Sequence, residues 1–241
     1  MTRKRVLLIG FVGLLIIGAA ALAFVPRGRQ ADAPPRAEGQ KPTLMVLTTL
    51  PLLFPEEFTL EGGGSKALTA LETRYRIVPI GTTDAASLNQ ARILLLAHPL
   101  AQPAEALVDL DRWVREGGRL MLLADPKLDW PSKRPLGDKL RPPPSFADTG
   151  LLKHWGLTVQ APAETGPKQR ELGNRQILTA SPGTLSGSCE IESGGFVARC
   201  TIGKGRVVVV ADADFLNVEQ LDGPTESNLE ALIAELDRLE R

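Results

Sequence analysis

The sequence predicts an α/β domain built on a doubly wound, mostly parallel sheet. Apolar runs at Thr43 to Pro51, Ala91 to Ala97, Arg119 to Pro126 and Arg206 to Asp212 have the continuous character of strands covered on both faces. Stretches of helical periodicity alternate with them. The links are short, so each strand–helix–strand step reads as a right-handed crossover between parallel neighbours.

Arg3-Lys4-Arg5 opens the chain, and the apolar run from Val6 to Val25 follows. At about 1.5 Å per residue such a run covers roughly 30 Å, the hydrocarbon thickness of a bilayer. With positive charge concentrated before it, the N-terminus stays in the cytoplasm and the rest is exported. The expected organisation is a cytoplasmic tail 1–5, a single transmembrane anchor 6–25, a proline-rich linker 26–42 and an extracytoplasmic domain 43–241, held at the cytoplasmic (inner) membrane. A cleaved signal peptide is the alternative, since Ala21-Leu22-Ala23 and Ala31-Asp32-Ala33 have the small-x-small form. Cleavage at the first would fall inside the apolar run, and Pro34 follows the second.

Ser65 can cap a helix through Thr73 with Leu68 and Leu71 inward, and Tyr75 to Ile80 reads as the second strand. Pro103 starts a helix from Ala104 to Glu116, and Gly117-Gly118 stops it. Lys127 to Phe146, with Pro142-Pro143-Pro144 and several cations, is too long and proline-rich for a plain connection, so it reads as a lid or docking loop. A short helix at Leu151, Leu152 and Trp155 and a strand at Leu157 to Gln160 follow. The stretch to Ser188 is loop-rich. At the C-terminus, Ser227 and Glu230 have capping-box spacing ahead of the stripe Leu229, Leu232, Ile233, Leu236 and Leu239.

Composition excludes more than it names. The 28 Lys and Arg balance the 28 Asp and Glu, so no global charge calls for nucleic acid. Cys189 and Cys200 flank Gly194-Gly195, a turn signal between alternating segments. Folding about that turn sets the cysteines opposite one another, as a disulfide in an oxidising compartment or as two small buried thiols. A four-residue turn from Ser193 to Phe196 would bring them closer than a two-residue one.

In an open parallel sheet, ligands bind outside the carboxyl ends of the strands. The residues leaving those ends here are Thr48-Thr49-Leu50-Pro51, His98-Pro99, Asp125-Pro126 and Asp212-Ala213-Asp214. Aspartates and histidine there can act as acid, base or ligand, or simply cap turns. Asp129, Trp130 and Arg134 on the long loop add a binding surface, since Trp and Arg commonly anchor interfaces. Gly62-Gly63-Gly64-Ser65-Lys66 lacks the spacing of a phosphate loop. No cofactor or metal is expected, and no thiol nucleophile stands on a strand-to-helix elbow.

Leu94 to Pro99, Leu110 to Leu120 and Leu123 to Pro126, together with Gly203 to Asn217, resemble the auxiliary proteins of gliding-motility-type ABC transport systems. Thr48 to Leu52 and Asp129 to Ser132 resemble a membrane-anchored bacterial subgroup of that family. The resemblance implies a flavodoxin-like, class-I-amidotransferase-like fold without the amidotransferase nucleophile, working beside an ABC permease and ATPase. The chain lacks those proteins' second membrane helix. The expected function is therefore a non-enzymatic accessory that binds a partner protein or ligand at the strand ends. The alternatives are an envelope hydrolase using Asp125, Asp212 and His98, or a periplasmic small-ligand-binding module.

Overall fold

The structure is a computed structural model that describes residues 33–54, 56 and 64–241. The expected anchor at 6–25, the first part of the linker and Gly62-Gly63 lie outside the described residues. Among those described, no helix is long and apolar enough to cross a membrane.

The strands are β1 (Thr43–Thr48), β2 (Arg76–Pro79), β3 (Ile93–Ala97), β4 (Arg119–Leu123), β5 (Leu157–Gln160), β6 (Pro167–Leu172), β7 (Arg175–Ala180), β8 (Thr184–Gly187), β9 (Glu190–Glu192), β10 (Val197–Ile202) and β11 (Gly205–Val210). The helices are α1 (Lys66–Glu72), α2 (Ala85–Leu88), α3 (Ala104–Arg115), α4 (Leu151–His154) and α5 (Asn228–Glu240). The central sheet runs β2-β1-β3-β4-β11-β10-β9. Its first five strands are mutually parallel, and the β9–β10 hairpin closes one edge antiparallel.

Alternation along the strands builds the two layers. Leu44, Val46, Leu95, Met121, Val208 and Val210 face one side, where α1 and α5 supply Leu71, Leu232 and Leu236. Met45, Leu47, Leu94, Leu96, Leu120 and Val209 face the other, against Leu88 of α2, Leu110 and Val114 of α3 and Trp155 after α4. Each such side chain contributes about 1.5–3 kcal/mol by leaving water, which is why these strands lack the polar alternation of a half-exposed sheet.

The turn Gly203-Lys204-Gly205 is fitted against the end of α3. A Cβ on Gly205 would stand 2.0 Å from the Val114 carbonyl oxygen and 2.6 Å from that of Gly118. Gly203 has φ +60, and a Cβ there would lie 2.8 Å from the Arg115 backbone. The glycines therefore let β11 enter the sheet directly beneath α3.

Several expectations change. The compact unit begins at Pro34, because Arg36 pairs with Asp237 at 3.3 Å and Glu240 at 2.7 Å and lies over the Tyr75 ring. The capping box does not form. Ser227 has helical backbone angles and its side chain caps nothing, while Glu230 pairs with Arg175 at 2.7 Å. Asn228 instead joins the helix start to β7 by accepting from Leu178 N at 2.9 Å and donating to Leu178 O at 2.7 Å. The stretch read as loop holds the β6–β7 hairpin, and β8, which pairs with β5.

Cys189 and Cys200 are joined by a disulfide, with Cα atoms 5.0 Å apart. Val197 pairs with Glu192, so the intervening turn is the four-residue one, Ser193 to Phe196.

Candidate functional site

The strand ends carry two separate features. One is a buried carboxylate cluster beyond β4 and β11. The other is an open cleft beyond β1, β2 and β3.

Asp125 follows β4, and Asp212 and Asp214 follow β11, so the parallel register of Val210 with Leu123 brings all three together. One carboxylate oxygen from each lies within 4.8 Å of the others, and all three residues are fully buried. Asp125 accepts from the backbone amides of Lys127 at 2.8 Å and Ala213 at 2.9 Å. Both oxygens of Asp214 accept from Asp129 N, at 2.9 and 3.1 Å. Asp212 Oδ1 accepts from the Thr179 hydroxyl of β7 and from Phe215 N at 3.2 Å, whereas its buried Oδ2 has no donor.

Burial pushes these carboxyls up. Asp125 rises to about 6 against the pull of its backbone donors. Asp214 rises to about 8, with the charge of Asp125 adding to burial. Asp212 is raised as well, by burial first and then by its two acidic neighbours.

His98 ends β3 in left-handed backbone (φ 49) and is fully buried. Its Nε2 lies 2.9 Å from the Pro143 carbonyl oxygen. A carbonyl only accepts, so Nε2 carries the proton in this contact and Nδ1, which has no partner, is the bare nitrogen. Burial lowers its pKa, and the Pro143 carbonyl opposes that. His98 thus ties the long loop to the sheet. The Thr49 hydroxyl donates to the His98 carbonyl at 2.6 Å and links the ends of β1 and β3.

The loop from Lys127 to Phe146 folds back over the strand ends. Phe146 N donates to the Asp125 carbonyl at 2.6 Å and Leu128 N to that of Pro144 at 3.0 Å. Arg141 donates to the carbonyls of Ser132 and Arg134, so it braces the loop from within. Trp130, expected at the surface, is half-buried against the core, because its apolar ring finds cover there. Asp129 is exposed; its backbone amide donates to Asp214, and its carboxylate adds charge beside Asp125 and Asp214.

Between this loop and the sheet is a cleft of about 320 Å³, lined by Thr48, Thr49, Leu50, Ile80, Leu100, Arg134, Lys139 and Leu140 among others. β1 lies between β2 and β3 in the sheet, so the cleft sits where the strand order reverses, the usual ligand position in an open α/β sheet. Leu100 and Leu140 are 52% and 67% exposed, an apolar surface bordered by Arg134 and Lys139 and by one acid, Glu56. A larger hollow of about 570 Å³ lies at the amino ends, beside Thr43, Arg92 and Arg119. It is shallow and stands away from every residue singled out above.

The structure thus brings Asp125, Asp212 and Asp214 together, but away from solvent. It places Arg134 at the cleft and His98 beneath the loop. Cys189 and Cys200 lie elsewhere, on the edge hairpin. Sequence reasoning missed Thr179, and it took in Lys139 and Leu140 only as part of the basic loop. Thr179 arrives from a hairpin with no clear periodic signal, and the other two sit in a segment whose fold depends on its backbone contacts.

No family model matches the chain, and no curated protein matches it. Among solved structures, a cytoplasmic protein from Salmonella typhimurium is similar with a TM-score of 0.51 at 10% identity, over 81% of this chain and 98% of that one. An exo-β-1,4-mannosidase from Opitutaceae bacterium strain TAV5 gives 0.47 at 14% identity, over 81% of this chain and 36% of that one. A ThuA-like protein from Bacteroides uniformis gives 0.42 at 11%, over 88% and 94%. The chain spans about a third of the length of the glycosidases it matches. The likeness to the Salmonella protein is one of fold, a mixed α/β domain with a mostly parallel central sheet.

Proposed function

We propose that this chain is a membrane-anchored accessory protein of an ABC-type transport system, whose extracytoplasmic domain binds a partner protein or ligand in the cleft at the ends of β1, β2 and β3. The proposal includes a flavodoxin-type, class-I-amidotransferase-like fold without the nucleophile. The observation that carries it is the cleft: an apolar surface with Arg134 and Lys139 at its border, at the point where strand order reverses. The disulfide supports an oxidising compartment, and the apolar run at 6–25 supports the anchor.

The hydrolase alternative loses ground. Paired carboxylates act on a glycosidic bond only where substrate can enter between them, and these three are fully buried. Asp125 is held by backbone amides.

The test is co-purification of the full chain from its own membranes, with and without charge reversal at Arg134 and Lys139. An ABC permease recovered with the wild type and lost from Arg134→Glu/Lys139→Glu supports the proposal. No membrane partner in either preparation contradicts it.

A further inference from the structure

We propose that Asp125, Asp212 and Asp214 form a divalent cation site suited to Ca²⁺. The inference does not depend on what occupies the cleft. Three carboxylates lie within 4.8 Å of one another with no solvent exposure. The charged groups that face them are again carboxylates: Asp125 and Asp214 on Asp212, Asp129 on Asp125 and Asp214. Buried charge of one sign costs several kcal/mol per ion unless something offsets it.

Backbone amides offset part of that cost and hold the carboxylates in place. Lys127 N and Ala213 N hold Asp125, Asp129 N holds Asp214, and Phe215 N with the Thr179 hydroxyl holds Oδ1 of Asp212. Oδ2 of Asp212 is the independent observation. It belongs to a side chain of the cluster, is completely buried, and no donor reaches it. An orphaned carboxylate oxygen inside a cluster of carboxylates calls for a cation.

The donor set is all oxygen, which selects a hard ion. Ca²⁺ takes oxygens at about 2.3–2.6 Å, so ligands on opposite sides of it stand roughly 4.6–5.2 Å apart. Mg²⁺ requires a tighter shell, of about 2.0–2.1 Å, and keeps several waters. A site with no solvent exposure suits the ion that accepts irregular, protein-supplied ligands. A cation here would tie the segment after β4 to the segment after β11, and through Asp129 to the base of the long loop.

The test uses the full chain in detergent, stripped with EDTA and dialysed. At 1 mM CaCl₂ the wild type should melt about 3–10 °C higher, the shift expected at 10- to 100-fold excess over Kd for a domain of this size. Elemental analysis should find about one calcium per chain. Asp212→Asn keeps an oxygen for Thr179 and Phe215, and should abolish the shift. Should that variant not fold, the wild type alone decides. No shift and no retained calcium, or an equal shift with NaCl at matched ionic strength, overturns the proposal and leaves protons to neutralise the cluster. An equal shift with MgCl₂ overturns the preference for Ca²⁺.

Discussion

Arg199 of β10 grips Glu235 of α5 with both terminal nitrogens, and Glu235 is completely buried. The Nε of the same arginine donates to Glu192 of β9 at 2.9 Å. One guanidinium thus fastens the edge hairpin to the C-terminal helix. Removing the arginine leaves the buried Glu235 carboxylate with only the exposed Arg238 at 3.9 Å, so Arg199→Met should lower unfolding free energy by about 3–5 kcal/mol. Replacing both, as Arg199→Met/Glu235→Leu, should cost much less. Urea denaturation of the two variants separates these outcomes.

Gly205→Ala should be as damaging as a core deletion, although it adds only a methyl group. The added carbon would meet the backbone oxygens of Val114 and Gly118, which cannot turn aside as a side chain can. A loss of about 2–4 kcal/mol, at the high end for overpacking, is expected. Gly39→Ala, with nothing within 4 Å of its Cβ, is the control and should melt like the wild type.

The sheet was legible because burial on both faces leaves a plain mark: Leu94 to Leu96 and Val207 to Val210 have no polar alternation. Gly203 and Gly205 were legible as punctuation, though their reason, the approach of α3, is tertiary. Ser227 and Glu230 show the converse. Their spacing matches a cap, yet Arg175 competes for the glutamate and Asn228 anchors the helix start instead. At the strand ends, Asp125, Asp212 and Asp214 were legible as candidates. Their burial was not, because it comes from the β6–β7 hairpin and the long loop, which carry little periodic signal. Trp130 carries a related ambiguity, since an apolar ring on a basic loop reads equally well as an anchor or as a plug.

Reducing the disulfide should loosen the domain without unfolding it. Closing so short a loop contributes about 2–3 kcal/mol, mainly by restricting the unfolded chain. The Arg199 contacts still hold the hairpin. Cys189→Ser/Cys200→Ser should melt several degrees lower and show no response to dithiothreitol, whereas the wild type should move down to meet it.

His98 gives the domain an acid-sensitive component. Its pKa in the folded state is lowered by burial, so the unfolded chain binds the proton more readily. The stability it contributes is fully present above about pH 6.5 and is lost as pH falls from there toward the folded value, by at most about 1.4 kcal/mol per pH unit. His98→Asn tolerates the left-handed backbone and removes this titration. The raised carboxyls of the aspartate cluster act in the opposite direction, but equally in both proteins. The stability difference between wild type and variant should therefore shrink between pH 6.5 and 5, as read by chemical denaturation at each pH.

The proposed role places the meeting of this domain with its partner in the cleft. It is tested most directly by placing a photo-crosslinking amino acid at Leu140 in the full chain, at native expression, and identifying the adducts by mass spectrometry. Leu140 is exposed at the cleft, and Glu105→crosslinker, exposed on α3, serves as the control. Binding of an ABC permease in the cleft would give an adduct with it from position 140 and none from position 105. Adducts that are absent, or that form equally from both positions, would contradict it.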